Sequence, residues 1–193
     1  MFRHAATVLW GRPVFGPADP ISVNDTPTPV PHRIGAADVA HVVATNERLG
    51  QLLGDLGGIP MTDALTAHAR ASETLLGAVM REPVRPRLLL ALSDAHRAAG
   101  SAAAGAGLPD LARQHFSRAM DCAGAGDDLR RAVANLDSLG RIELDAGLPN
   151  EGLKFFQLGV ATAPSPLLRA KLEYDCAWAL GLLGLAAEAV AAL

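Results

Sequence analysis

Apolar side chains recur at helical spacing through most of the chain after residue 35. Between residues 36 and 56 they return every three or four positions, which predicts an amphipathic helix that a Gly-Gly pair ends. We expect Thr62 or Asp63 to cap the second helix and Asp127 to cap the fifth. The same spacing predicts seven further helices, at about residues 64–80, 88–105, 111–123, 129–146, 151–163, 167–183 and 185–193.

The N-terminal segment has a different pattern. Residues 1–34 hold six of the thirteen prolines, and Thr26-Pro27-Thr28-Pro29 is typical of an extended, polyproline-like chain. We therefore divide the sequence into a proline-rich arm or linker (residues 1–34) and a helical domain (residues 35–193). Phe2 and Trp10 give the arm apolar side chains with which it can dock on the domain.

Composition supports an all-α fold. Half of the residues are apolar, but only eight are aromatic, and Ala and Leu supply most of the rest. An all-β fold lacks the necessary aromatic and β-branched residues. The formal net charge of −3 gives no electrostatic sign of nucleic-acid binding. We find neither a secretory signal nor a membrane span, and expect a cytoplasmic location.

No residue pattern indicates catalysis or a metal site. Cys122 and Cys176 are 54 residues apart without a zinc-type spacing, so we expect two buried, reduced thiols. The six histidines occur singly, and each is interpreted as a satisfied or exposed side chain. The serines and glycine-rich stretches lack nucleophile or phosphate-loop contexts. We predict that the chain is not an enzyme and holds neither a cofactor nor a metal.

A turn repeats along the second half of the chain. Gly107-Leu108-Pro109 and Gly147-Leu148-Pro149 are 40 residues apart, and Gly184-Leu185-Ala186 follows 37 residues later. A fixed period of helical hairpins is the sequence sign of a solenoid. The predicted fold is therefore a right-handed α-solenoid of about eight helices in antiparallel hairpins. The hairpins cover about residues 36–80, 86–124, 127–163 and 167–193.

Small and aromatic residues keep fixed offsets from this turn. A small residue lies seven positions before each copy, at Gly100, Gly140 and Ala177. Phe116 and Phe156 follow the first two copies at equal distance. We expect the small residues to let paired helices approach closely, and each Phe to fill the gap between one hairpin and the next.

These offsets resemble the tetratricopeptide repeat over roughly residues 86–193, with Pro164 at the position of the closing proline. The large aromatic residue near the start of the consensus unit is missing, since His96 and Leu136 stand there. The resemblance implies a partner-binding concave groove lined by the first helix of each hairpin. The groove residues that it implies are Asp94, Arg97, Asp137, Arg141, Lys171, Tyr174 and Trp178.

A second resemblance concerns the first hairpin. The Gly35-Ala36-Ala37-Asp38-Val39 start, the Gly57-Gly58 break and the following Leu-rich segment are similar to the C-terminal region of large helix-turn-helix transcriptional regulators of high-GC bacteria. This resemblance implies a sensing or interaction module. We expect no DNA-reading domain in this chain and no direct nucleic-acid binding.

Together these observations predict a non-catalytic protein–protein interaction or regulatory module, the effector or sensing part of a transcriptional regulator, with a protein or peptide in its groove. The alternative is a small-molecule sensor with a ligand pocket between hairpins near the arm. The C-terminal end of the solenoid is apolar rather than polar, which predicts self-association as a homodimer. The residues at that end are Leu182, Leu183, Leu185, Val190 and Leu193.

Overall fold

The computed structural model describes residues 30–192, and this part of the chain is all-α, as composition predicts. A short 3-10 helix at Thr74–Gly77 is inserted after the second helix. The eight α-helices of residues 30–192 are α1 (Ala36–Leu56), α2 (Gly58–Glu73), α3 (Val84–Gly105), α4 (Pro109–Ala125), α5 (Leu129–Asp145), α6 (Pro149–Thr162), α7 (Pro166–Leu182) and α8 (Ala186–Ala191).

The predicted bounds of α1 are confirmed, but those of α2 are wrong at both ends. Helix α2 begins directly after Gly57, whose positive φ of 79° lets the chain turn and re-enter a helix within one residue. Thr62 therefore lies inside α2 instead of capping it, and its hydroxyl donates to the Gly58 carbonyl (2.8 Å). At the other end α2 stops at Glu73, about seven residues before the predicted end.

The start of α5 at Leu129 is as predicted, but its cap and the start of α3 differ from the prediction. Asp128, not Asp127, caps α5: its carboxylate accepts the Arg131 backbone N–H at 2.9 Å, while Asp127 adopts a left-handed conformation with φ of 60°. Helix α3 begins at Val84, four residues earlier than predicted. Pro86 is tolerated there because backbone N–H groups of a first helical turn have no partner within the helix.

Residues 32–34 are attached to the helical body. The Val79 N–H donates to the His32 carbonyl (2.9 Å), and the Ile34 N–H donates to the Val79 carbonyl (3.1 Å). Arg33 and Val79 thus form an isolated parallel bridge, and Ile34 is buried. The predicted docking of Phe2 and Trp10 falls outside the described residues.

Each helix packs mainly against its neighbours in the chain. From α2 to α8, every helix contacts the next one, and α1 contacts both α2 and α3. The buried apolar side chains follow the same order: clusters join α1 to α3, then α2 to α3, then α3 to α5, and finally α5 to α7. None of the described helices combines the length and the hydropathy needed to cross a membrane.

The repeated turns have the same conformation. Gly107, Gly147 and Gly184 have φ values of 72°, 74° and 77°, in the left-handed region that favours glycine. In the first two turns, Pro109 and Pro149 then occupy the first position of the next helix. Equal turns join α3 to α4, α5 to α6, and α7 to α8, as the period predicts.

The two repeated phenylalanines pack directly against the repeated glycines. A Cβ atom added to Gly100 would lie 3.0 Å from the Phe116 ring, and one added to Gly140 would lie 2.4 Å from the Phe156 ring. Both rings are buried. Only a residue without a side chain leaves room for the ring at these two helix crossings.

We therefore expect Gly140→Ala to lower the free energy of unfolding. The added methyl group overlaps the Phe156 ring, and overpacking of this kind typically costs about 1–3 kcal/mol. The matched control is Gly181→Ala in α7, where no atom lies within 4 Å of the added Cβ. It should be neutral or stabilising by up to about 1 kcal/mol, because Ala favours helix more than Gly does. Urea denaturation measures both, and equal effects would contradict the packing described.

Candidate functional site

An ion pair joins α3 to α5. The Arg131 guanidinium holds the Asp94 carboxylate through two hydrogen bonds, Nε to Oδ1 and Nη2 to Oδ2, both of 3.2 Å. Arg131 also pairs with Asp128, the residue that caps its own helix. Asp94, one of the predicted groove residues, is thus fixed by a partner that sequence analysis did not identify.

Four charged side chains join α5 to α7. Lys171 lies between two carboxylates, with its Nζ 2.6 Å from Asp137 Oδ2 and 3.0 Å from Asp175 Oδ2. Arg141 also reaches both, since its Nη2 is 2.9 Å from Asp175 Oδ1 and its Nε is 3.5 Å from Asp137 Oδ1. The two positive and two negative charges balance. Burial raises the pKa of the Asp175 carboxyl, Lys171 opposes this, and Asp137 adds to it.

The seven predicted groove residues form two groups. Asp94, Asp137, Arg141 and Lys171 form the ion pairs described above. Through these pairs, one side of α3, α5 and α7 forms a connected surface. Arg97, Tyr174 and Trp178 are instead exposed, with 60% of Tyr174 and 47% of Trp178 accessible to solvent. We call this surface the α3–α5–α7 face. It consists of Asp94, Arg97, Arg131, Asp137, Arg141, Lys171, Tyr174 and Trp178, with the buried Asp175 beneath them.

A groove adjoins the α3–α5–α7 face. It has a volume of about 550 Å³, runs between α1 and α3, and reaches Arg131 of α5. Val43 and Leu90 contribute apolar surface to it, while Glu47, Asp94 and Arg131 provide charges. Since Asp94 and Arg131 belong to both surfaces, this α1–α3 groove and the α3–α5–α7 face are continuous.

A buried pair of histidines links α3 to α4, although sequence analysis treated the histidines as isolated residues. The Nδ1 atoms of His96 and His115 are 3.0 Å apart, and both side chains are buried. Thr66 Oγ1 of α2 lies 3.2 Å from His115 Nε2. On the other side, Glu73 Oε2 lies 3.4 Å from His96 Nε2, and Arg118 pairs with Glu73.

One set of neutral tautomers suits all three contacts. The Thr66 hydroxyl donates to His115 Nε2, His115 Nδ1–H donates to His96 Nδ1, and His96 Nε2–H faces Glu73. If both imidazoles were protonated to the charged form, two Nδ1–H groups would face each other at 3.0 Å. The geometry therefore requires that at least one of the two histidines is uncharged.

The surroundings also disfavour protonation. Burial, together with the nearby His96 and Arg70, lowers the pKa of His115 to about 4, against the opposing effect of Glu73. Burial likewise lowers the pKa of His96, with Glu73 opposing and Arg118 contributing. Within the described residues no group of three or more His, Cys, Asp or Glu side chains is arranged to hold a metal ion. The contact between the two Nδ1 atoms makes the histidine pair a polar contact between α3 and α4.

The cysteines are as predicted. Cys122 and Cys176 are both buried and free. Burial raises the pKa of both thiols, that of Cys176 to about 11. Protonated, buried thiols are poor nucleophiles, so these side chains serve as apolar packing.

We expect the stability of the protein to fall as the pH falls from about 6.5 toward 4. In the unfolded chain the histidines bind protons below their ordinary pKa of 6.5, whereas folded His115 does so only near 4. Between pH 7 and pH 5 the free energy of unfolding should drop by about 2 kcal/mol because of this residue. Urea titrations at several pH values measure the drop.

The double variant His96→Gln/His115→Gln should flatten this pH dependence, because it removes the groups that bind protons on unfolding. His32→Gln is the matched control, since His32 is exposed and its imidazole lies outside the pair. An unchanged pH slope in the double variant would show that other groups cause the acid sensitivity.

No protein-family model matches the chain, and no curated protein matches its sequence significantly.

Proposed function

We propose that the chain is a non-catalytic protein–protein interaction or regulatory module, and that a peptide or helix of a partner protein binds along the α1–α3 groove and the α3–α5–α7 face. The continuity of these two surfaces is the observation that carries the proposal. In this proposal the helices form a right-handed α-solenoid of antiparallel, tetratricopeptide-like hairpins. The equal glycine turns and the paired Gly–Phe contacts support that arrangement.

The chemistry of the surface favours an amphipathic segment as its occupant. Val43 and Leu90 offer apolar contact along the groove, and Glu47 and Arg131 offer charges of both signs at its edge. Apolar surface bordered by charges is typical of grooves that bind a helix or an extended peptide. Trp178 would extend the contact toward α7, since a large aromatic side chain is a common anchor for a bound partner.

The two groups of predicted groove residues take different roles in this proposal. Asp94, Asp137, Arg141 and Lys171 already hold one another or a neighbouring helix through ion pairs, so they shape the face. Arg97, Tyr174 and Trp178 are exposed side chains through which the face contacts a partner.

The regulatory context rests on the resemblance of the first hairpin to helix-turn-helix regulators. In this proposal the chain is the effector or sensing part of a regulator and does not itself bind DNA. Binding of a partner protein would report a signal to the rest of the regulator. The negative net charge agrees with a partner other than nucleic acid.

The alternative function is a small-molecule sensor, and one observation favours it. A second cavity, of about 600 Å³, lies where the chain enters α1 and α3, next to residues 33–36. That volume is within the ordinary range of small-molecule sites. Its location also fits the predicted pocket between hairpins near the arm.

Peptide binding is testable with a random peptide library displayed on phage and selected against the full chain. We expect selected peptides to lose at least about tenfold in affinity for Val43→Asp, because a carboxylate would be buried without a partner at the apolar contact. Leu158→Asp is the control, since Leu158 of α6 is similarly exposed but lies outside both surfaces (52%, against 40% for Val43).

Trp178→Ala should weaken the peptides that reach α7 and leave the shorter ones unchanged. Thermal unfolding of each variant checks that it remains folded. Equal binding of all selected peptides to the wild type, Val43→Asp and Trp178→Ala would place the peptide site elsewhere.

We further propose that the chain forms a homodimer through α7 and α8. Leu182 and Val190 are exposed on these helices and Leu185 in the turn between them, and exposed apolar side chains that lie close together favour association with a second copy. Leu193, also predicted at this end, lies outside the described residues.

Light scattering at two protein concentrations should show a dimer that Val190→Glu converts into a monomer, because the substitution places a charge in the apolar contact. Leu158→Glu should leave the mass unchanged. A wild-type chain that is monomeric at both concentrations would exclude this dimer.

A further inference from the structure

Three arginines surround the second cavity. Arg33 precedes α1, Arg81 precedes α3, and Arg87 lies in the first turns of α3. We call the space between them the arginine cavity. The remaining wall is mostly apolar and is formed by Ile34, Ala36, Pro83 and Val84, together with Gly35.

Backbone hydrogen bonds fix the segments that carry these arginines. Arg33 lies in the bridge to Val79, with hydrogen bonds on either side of it. The Arg81 carbonyl accepts the Val84 N–H at 2.9 Å, which joins the Arg81 segment to the start of α3. Arg87 lies within α3 itself. The segment before α1 and the start of α3 thus place three arginines along one space.

The charges around the arginine cavity are not balanced within residues 30–192. None of the three arginines forms an ion pair with a carboxylate in that range. Glu82, between Arg81 and Pro83, is the nearest acidic residue in sequence to the cavity wall; it is exposed and forms no ion pair within residues 30–192. The carboxylate of Asp38, two residues after Ala36, accepts the Gly35 N–H at 2.7 Å. The arginines that do form ion pairs are Arg113, Arg118, Arg131 and Arg141.

The composition of the wall determines which class of ligand the arginine cavity would bind. Three guanidinium groups repel a cation and favour phosphate or carboxylate, to which each can donate two hydrogen bonds. Ile34 and Val84 are buried beneath the cavity and give it an apolar surface. An inorganic anion would leave this surface without contacts, whereas an organic anion would cover it.

We propose that the arginine cavity is a binding site for a small organic anion, whose phosphate or carboxylate group is held by Arg33, Arg81 and Arg87 while its apolar part lies against Ile34, Pro83 and Val84. This inference rests on the alternative function above and names the class of its ligand. It does not depend on peptide binding. Arg87 also lines the α1–α3 groove, so an anion that draws this side chain toward the cavity changes the charge at the groove edge.

The test is calorimetric titration of the full chain with defined probes at constant ionic strength. Phenyl phosphate and phenylacetate carry the two candidate anionic groups on an apolar ring, inorganic phosphate carries the charge alone, and benzylamine carries the opposite charge. We expect binding of at least one aromatic anion at millimolar concentration or below, weaker binding of inorganic phosphate, and none of benzylamine. The stronger of the two aromatic anions identifies the preferred group.

The variant Arg33→Gln/Arg81→Gln/Arg87→Gln should raise the dissociation constant of the aromatic anion at least about tenfold, because it removes the charge-assisted hydrogen bonds to the anionic group. Its charge-matched control replaces three exposed arginines that lie outside the cavity and form no ion pair within residues 30–192. The control is Arg48→Gln/Arg130→Gln/Arg169→Gln. It should bind the anion like the wild type.

Several results would overturn the proposal. Equal weakening in both triple variants would show a general charge effect, and equal binding of benzylamine would show an apolar patch without selectivity. Absence of binding by every probe would also exclude the site.

The outcome is separable from that of the peptide experiment. Arg33→Gln/Arg81→Gln changes residues that line only the arginine cavity, whereas Val43→Asp changes a residue that lines only the α1–α3 groove. Loss of anion binding in the first variant with peptide binding intact supports the cavity independently of the groove. Loss of both activities in Val43→Asp would instead indicate a folding defect.

Discussion

The close packing of a phenylalanine ring on a glycine determines the spacing of the helices. At Gly100 with Phe116 and at Gly140 with Phe156, the absence of a side chain on one helix lets the ring of the next lie against its backbone. Each ring also lies in a buried cluster with the helix that follows: Phe116 with residues of α5, and Phe156 with residues of α7. The same contact thus sets the spacing within a helix pair and between pairs.

The surface that we propose for partner binding depends on this spacing. The packing of α3, α5 and α7 brings charged side chains of neighbouring members of this set within reach of one another. Arg131 can then bind Asp94 with both nitrogen atoms, and Lys171 can lie between Asp137 and Asp175. Longer separations would leave these residues as individual surface charges, which contribute little to the shape of a face.

The sequence predicted features that depend on backbone conformation or on short spacings, and it missed those that depend on the meeting of distant segments. The glycine turns were predictable because few other residues adopt a positive φ. The choice between Asp127 and Asp128 as the cap of α5 was not predictable, because both are Asp, which can cap a helix, and the conformation of the turn decides which one does. Lys171 and Asp175 could have been paired from their spacing of four residues. His96 and His115 had no such signal, since only the packing of α3 on α4 brings them together.

The order of helix contacts also determines how the molecule can open. Because each helix packs mainly on its chain neighbours, most contacts have short sequence separation, and folding of such a chain needs little long-range loop closure. Local opening of one end then need not disturb the other, because most helix contacts lie between neighbours in the chain. Helix α8, short and held mainly by α7, is the segment expected to exchange its amide hydrogens first. The α1–α3 groove at the opposite end would keep its shape through such fraying, so a ligand bound there would encounter a preformed surface.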